Sequence, residues 1–255
     1  MVRIAVFADV HSNSLALDAV LADVAAQGGV DAWWFLGDAV GLGFDPVGTV
    51  ERLSGLPGLV AVRGNGDRRL ATDPAVVREI SERRIAETDP EDAAIWQAVL
   101  AESEWTRDLL LASGGYEWVA ALPLERRLVL PDGTRVLLVH ASPGTEEGSG
   151  ITMETTDDDL RELLASVDAD LVLVGHTHQQ VDRIVDGVRV INPGSISNPP
   201  GRDRRARWLL LDVTNGGLDV EARAVDYDIA NMRREMVERN VPSWSYVRRY
   251  FEDAP

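Results

Sequence analysis

The chain has 255 residues, 45% hydrophobic and 26% charged, with a formal net charge of −17 and no cysteine. The length suits one large α/β domain, and the composition is that of an ordinary globular protein. So acidic a chain lacks the clustered positive charge that general nucleic-acid or membrane-surface binding needs, and without cysteine it has neither disulfides nor thiolate metal sites.

The apolar run Val2 to Ala8 has strand length, and Leu15 to Gln27 carries apolar residues at helical spacing before Gly28-Gly29 ends it. The N-terminus has neither the h-region nor the cleavage pattern of a secretory signal. No apolar stretch approaches the ~20 residues of a membrane span, so a cytoplasmic protein is expected. Ala32 to Leu36 reads as a second strand, Pro46 to Leu53 as a short helix and Leu59 to Val62 as a third strand. Alternation of this kind favours a largely parallel sheet with helices on its faces.

From about 74 to 122 the pattern turns purely helical, with Ile95, Val99 and Leu100, then Trp105, Leu109 and Leu110, at helical spacings. This insert is expected to act as a cap. Arg127 to Leu130, the turn Pro131 to Thr134, and Arg135 to Val139 read as a hairpin, Asp157 to Val167 as a helix and Asp170 to Val174 as a buried strand. Two more hairpins follow: Val181 to Val185 with Val188 to Ile191 across Asp186-Gly187, and Trp208 to Val213 with Leu218 to Val225 across Asn215-Gly216-Gly217. Helices over 229–255 close the chain, and 1–255 reads as one domain.

Polar residues gather where these strands end. Asp9-Val10-His11 follows the first strand, Gly37-Asp38 the second and Gly64-Asn65-Gly66-Asp67 the third, while His140 ends the strand 135–139 and Gly175-His176-Thr177-His178 follows the strand 170–174. The C-terminal ends of successive strands meet at one edge of an open α/β sheet, where ligands bind. All four histidines of the chain lie at such ends. With Asp9, Asp38 and Asn65 they supply seven N and O ligands, which suits two divalent first-row ions. Any one of these groups alone is an ordinary turn or core residue; their ordered coincidence is what points to a metal site.

This order, D-x-H, G-D, G-N-x-D, a lone His and G-H-x-H, resembles the calcineurin-like metallophosphoesterases over roughly Val2 to Ser197. The resemblance implies an α/β fold, a four-layer αββα sandwich of two mixed sheets flanked by helices. It implies two divalent ions, manganese first, with iron, zinc, nickel and cobalt also suited. Asp9, His11 and His178 would hold one ion and Asn65, His140 and His176 the other, with Asp38 bridging. Hydrolysis of a phosphodiester or phosphomonoester would follow by attack of a metal-bridging hydroxide on phosphorus. Asn13 matches a position beside the phosphate, and Ile191-Asn192-Pro193-Gly194-Ser195 matches a segment that shapes the loop behind the metals.

The family most often has histidine where this chain has Gly66, and that histidine donates a proton to the departing oxygen. Its absence leaves either another donor or a leaving group acidic enough to depart unaided, and tilts the expectation toward diesters. A nucleotide or dinucleoside polyphosphate hydrolase and a protein phosphatase are the alternatives within the family, and a non-catalytic metal-binding scaffold is the alternative outside it. The expected partner is a small phosphorylated substrate. Arg63 could face a substrate phosphate or a surface carboxylate equally. Arg202, Arg204, Arg205 and Arg207 read as a solvated loop ahead of a cationic rim, and Trp96, Trp105 and Trp118 as core ahead of base-stacking platforms.

Overall fold

A computed structural model describes residues 1–214 and 216–251. Asn215 of the expected 215–217 turn and residues 252–255 of the expected closing helices lie outside the described residues.

Strands β1 (Val2–Phe7), β2 (Ala32–Phe35) and β3 (Leu59–Ala61) pair in parallel, joined by helices α1 (Ser14–Ala26) and α2 (Pro46–Ser54). The sheet is extended on the other side of β1 by the hairpin β9 (Ala206–Thr214) and β10 (Gly217–Val225), with β9 antiparallel to β1. Its order is β10-β9-β1-β2-β3. A second sheet runs β4 (Glu125–Val129), β5 (Arg135–Val139), β6 (Leu171–Leu173), β8 (Val188–Pro193) and β7 (Gln180–Val185) in spatial order. Its inner pairs are parallel and its two edges antiparallel. Both sheets are therefore mixed, as the resemblance implied.

Alternation along the strands sorts the core into layers, because successive side chains leave a strand on opposite faces. Ile4, Val6 and Ala8 pack with Trp34, Leu36, Leu209 and Leu211 against Val136, Leu138, Leu171, Leu173 and Ile191, which is the sheet-on-sheet core. Ala5, Phe7, Phe35 and Trp208 point the other way, against Leu17 and Val20 of α1 and Leu53 of α2. On the outer face of the second sheet Val139, Val172 and Val190 meet Leu160 and Leu164 of α7 (Asp157–Leu164). The central strands are covered on both sides, which explains why they read as near-continuous apolar runs.

The segment after β3 differs from its sequence reading. Gly64 to Asp67, which reads as a turn, is the entry to helix α3 (Asn65–Ala71), and the Asp67 carboxylate reaches back to the Gly64 N–H at 2.9 Å. An acid at the third helical position caps that entry. The insert is α4 (Pro74–Glu87), α5 (Pro90–Ser113) and α6 (Tyr116–Ala120). Asp73 and Asp89 cap α4 and α5, each followed by a proline already fixed in helical φ. Helices α8 (Ile229–Glu238) and α9 (Trp244–Val247) with the 3₁₀ turn Arg248–Tyr250 pack on Phe44 and Trp105. Trp118 packs on the α1 side of the core. No helix among the described residues is long and apolar enough to cross a membrane.

Candidate metal centre

The strand-end loops are stitched into one floor. The backbone N–H of Asp9 donates to the Gly37 carbonyl at 3.0 Å, that of His11 to Asp38 at 3.0 Å and that of Ser12 to Ala39 at 2.9 Å. Such close stacking needs glycine at position 37: its φ is +96°, and a Cβ there would sit 2.5 Å from the Gly64 nitrogen and 2.8 Å from His140 Nδ1. Behind the floor, Ser195 Oγ donates to the Asp9 carbonyl at 3.0 Å, and Asn192 Nδ2 donates to the Gly175 carbonyl at 2.6 Å. The segment 191–195 thus holds the first and last ligand loops in place.

Asp9, His11, Asp38, His176 and His178 all adopt left-handed backbone, with φ between 48° and 68°. A non-glycine residue in that region costs on the order of 1–3 kcal/mol and persists where the surroundings enforce it, commonly at functional sites. Five of the seven expected ligands carry this strain, and it turns their side chains inward from short loops.

Two sets of side-chain atoms converge. Asp9, His11 and His178 offer one group, and Asp9, Asp38 and His140 a second, with atoms in each set within 4.8 Å of one another. Asp38 Oδ2 lies 3.7 Å from His11 Nε2 and 3.5 Å from His140 Nε2, so it faces a histidine of each set, and Asp9 is common to both. Asp9 Oδ1 lies 3.5 Å from His178 Nε2 and 3.9 Å from His140 Nε2. Asn65 and His176 adjoin them: His176 Nδ1 is 2.9 Å from Asn65 Oδ1, and the His140 and His176 ring centroids are 5.2 Å apart.

The histidine rings are oriented from behind. His140 Nδ1 donates to the Leu36 carbonyl at 2.7 Å and His178 Nδ1 to the Asn198 carbonyl at 3.0 Å, which turns each Nε2 toward the carboxylates. His140 Nε2, Asp9 Oδ2 and His11 Nδ1 are buried with no hydrogen-bond partner. Orphaned polar atoms of this kind are costly in a protein interior, and a cation supplies the missing partner. Imidazole and carboxylate donors at this spacing therefore fit divalent first-row ions.

Charge reinforces the fit. Burial disfavours the ionised Asp9, but His178, His140 and His11 outweigh it and hold its carboxyl below the ordinary range; Asp38 is lowered in the same way by His140 and His11. Burial takes His11 down to about 4, whereas Asp38 and Asp9 overcome burial at His140 and raise it to about 9. Both carboxylates are thus held as anions inside the protein.

The remaining expectations fall elsewhere. Asn13 is 2% exposed and caps α1, its Oδ1 accepting the Ala16 N–H at 3.1 Å while Nδ2 donates to Ser197 Oγ at 3.3 Å. Its carboxamide is engaged with the protein. Arg63 resolves toward a carboxylate, with its guanidinium 3.4 Å from Glu146. Arg205 and Arg207 both pair with Asp203.

Three functional candidates escape sequence reasoning. Asp67, fully buried, accepts the N–H groups of Asp38, Ala39, Val40 and Gly64 at 2.9 to 3.3 Å. Glu102 of α5, 2% exposed, accepts the Gly43 N–H at 3.0 Å and lines a cavity of about 220 Å³ together with His11, Asp38, Asn65 and Gly66. Burial pushes its carboxyl up to about 8. Arg69, on the same wall, has no hydrogen bond or ion pair among the described residues. The signal for Asp67 is its place three residues into a helix; Glu102 and Arg69 leave none, since each reads as the polar face of a helix.

Residues 2–216 match the calcineurin-like phosphoesterase superfamily domain. The chain belongs to this superfamily. An uncharacterised protein of Methanocaldococcus jannaschii is 27% identical over 258 residues, covering 94% of each chain. The crystal structure of a metallophosphoesterase from Sphaerobacter thermophilus is 27% identical with a TM-score of 0.72, covering 98% of each chain. A hypothetical protein from Pyrococcus horikoshii OT3 shares the fold, with a TM-score of 0.78, 24% identity and 95% coverage of each. Membership makes the Asp/His cluster a candidate metal centre of a phosphoesterase.

Proposed function

We propose that this chain is a dinuclear metal-dependent phosphoesterase acting on a small phosphorylated substrate, a diester ahead of a monoester. The observation that carries this reading is the buried, unpartnered His140 Nε2 and Asp9 Oδ2, converging with Asp38, His11 and His178.

Asp9, His11 and His178 would hold one cation, and His140, Asn65 and His176 the other, with Asp38 available to both. Manganese is the first choice and iron, zinc, nickel or cobalt would serve. When bound, the pair supplies Lewis-acid polarisation of the phosphoryl oxygens and a nucleophilic water at neutral pH.

The chain's own residues prepare that chemistry. The Leu36 and Asn198 carbonyls hold His140 and His178 by Nδ1, so each Nε2 faces the carboxylates, where a bound cation would replace the proton it carries. The Gly66 N–H donates to Asp38 Oδ1 at 2.8 Å and fixes its rotamer. Position 66 offers no side-chain proton to the departing oxygen. The favoured substrates are those whose leaving group is already acidic, such as nucleotides, pyrophosphate linkages and aryl esters.

Hydrolysis of bis-p-nitrophenyl phosphate and p-nitrophenyl phosphate with added manganese tests the reading. Turnover is expected to require metal, to favour the diester and to fall roughly a hundred-fold or more in Asp38→Ala. Metal-independent turnover, or full activity in Asp38→Ala, would contradict it.

A further inference from the structure

Against a net charge of −17, arginines concentrate beside the candidate centre. A cavity of about 240 Å³ between α3, α4 and α5 is lined by Arg68, Arg69, Arg83, Arg84 and Trp96, with Glu147 as its acidic residue. Arg68 lies 2.7 Å from Glu146 and also pairs with Glu147, and Arg84 lies 3.6 Å from Glu147 and stacks on Trp96 at 4.4 Å. Four guanidinium groups therefore face two carboxylates, and the excess is positive.

Arg69 is the part without a protein partner. Among the described residues, every other arginine lacking an ion pair or hydrogen bond is exposed to solvent, whereas Arg69 is half-buried. It also lines the cavity that contains His11, Asp38 and Gly66, as does Trp96. Asp38 on the metal side and Glu147 on the other are the carboxylates acting on it most. Arg69 and Trp96 thus share the wall between the candidate centre and the arginine-lined cavity. A desolvated guanidinium without a carboxylate suits phosphate oxygens, which match its planar array of donors.

We propose that this cavity is a subsite for a second phosphate of the substrate, with Arg69 spanning the reacting and the departing phosphoryl groups, so that the bond cleaved is a phosphoanhydride. The proposal rests on the phosphoesterase reading and narrows its substrate class. In the reaction, the oxygen of water bonds to the phosphorus at the centre, and the bridging P–O bond breaks with its electron pair going to the second phosphate. The protons of the water pass to the product phosphates and solvent. A departing phosphomonoester such as a nucleoside monophosphate, whose last ionisation lies at about pH 6, needs no proton donor, which accounts for glycine at position 66. Arg69, with Arg84 behind it, offsets the charge that gathers there.

Two measurements test the subsite. Metal-stripped protein titrated calorimetrically with inorganic pyrophosphate is expected to bind it, with affinity at least ten-fold weaker in Arg69→Gln and partly restored in Arg69→Lys. With manganese, Arg69→Gln is expected to lose at least ten-fold more kcat/KM on a nucleoside diphosphate than on p-nitrophenyl phosphate. Equal pyrophosphate affinity in wild type and Arg69→Gln, or equal losses on both substrates, would overturn the subsite. Arg69-dependent pyrophosphate binding without turnover of any ester would uphold the subsite and sink the phosphoesterase reading; ester turnover without such binding would do the reverse.

Discussion

The buried carboxylate of Asp67 accepts the backbone N–H of Asp38 at 2.9 Å, and with the same side chain it gathers the N–H groups of Ala39, Val40 and Gly64. One acid thereby fixes the loops after β2 and β3 against each other, and Asp38 and Asn65 with them. Removing it leaves several buried donors unpaired, each costing roughly 1–3 kcal/mol. For a chain of this size 1 kcal/mol corresponds to about 2–4 °C in Tm. Asp67→Ala is expected to lower Tm by about 5 °C or more and weaken manganese binding by about ten- to a hundred-fold, with Asp67→Asn intermediate. Calorimetry and a manganese titration check both. An unchanged Tm with unchanged binding would remove Asp67 from this role.

Glu102 makes a pH prediction. Its carboxyl has an ordinary pKa of 4.5 and is raised by burial to about 8. Between those values the folded state holds a proton that the unfolded state has lost, so the stability it contributes is present below pH 4.5 and is lost as pH rises toward 8. Glu102→Gln keeps an oxygen for the Gly43 N–H and removes the titration. Wild-type Tm relative to Glu102→Gln is expected to fall from pH 5 to pH 8.5. A constant difference across that range would show that Glu102 is ionised in the folded protein.

Gly66 separates crowding from chemistry. A Cβ at this position would lie 3.1 Å from both Asp38 Oδ1 and the Val40 carbonyl, so even alanine presses on a candidate ligand. Gly66→Ala is expected to lower activity by roughly ten-fold. Gly66→His carries the same strain plus a proton donor, and should raise turnover of an alkyl phosphate relative to an aryl phosphate when compared with Gly66→Ala. An identical alkyl-to-aryl ratio in the two variants would show that protonation of the leaving group does not limit the reaction.

How much of this was legible in the sequence follows from where the chemistry sits. The seven candidate ligands lie at strand ends, and each ligand loop comes straight off an apolar run. The parallel pairing of β1, β2 and β3 also followed from β/α alternation. That β9 joins the first sheet antiparallel to β1 was not legible, because nothing local in Ala206–Thr214 names a partner some 200 residues away. The same limit hid Asp67, Glu102 and Arg69. A carboxylate at the third position of a helix and charged residues inside helical periodicity look solvated until the neighbouring element buries them. Trp96, expected as core, instead lies between Arg84 and the cavity, while Trp105 and Trp118, half-buried, do pack against the core.

The metal itself should stabilise the fold. Cations that bind only the folded state raise stability by RT ln(1 + [L]/Kd), about 2.7 kcal/mol at a hundred-fold excess over Kd. Tm is therefore expected to rise by about 5 to 10 °C with saturating manganese and to return to the starting value on chelation. No shift on manganese addition would argue against these residues as a cation site.

The most direct test of the dinuclear centre is the manganese content of loaded, desalted protein, measured by elemental analysis in wild type and Asp38→Ala. Two ions per wild-type chain, falling to one or fewer in Asp38→Ala, is the predicted result. Less than one ion per wild-type chain would contradict the account, whatever the fold.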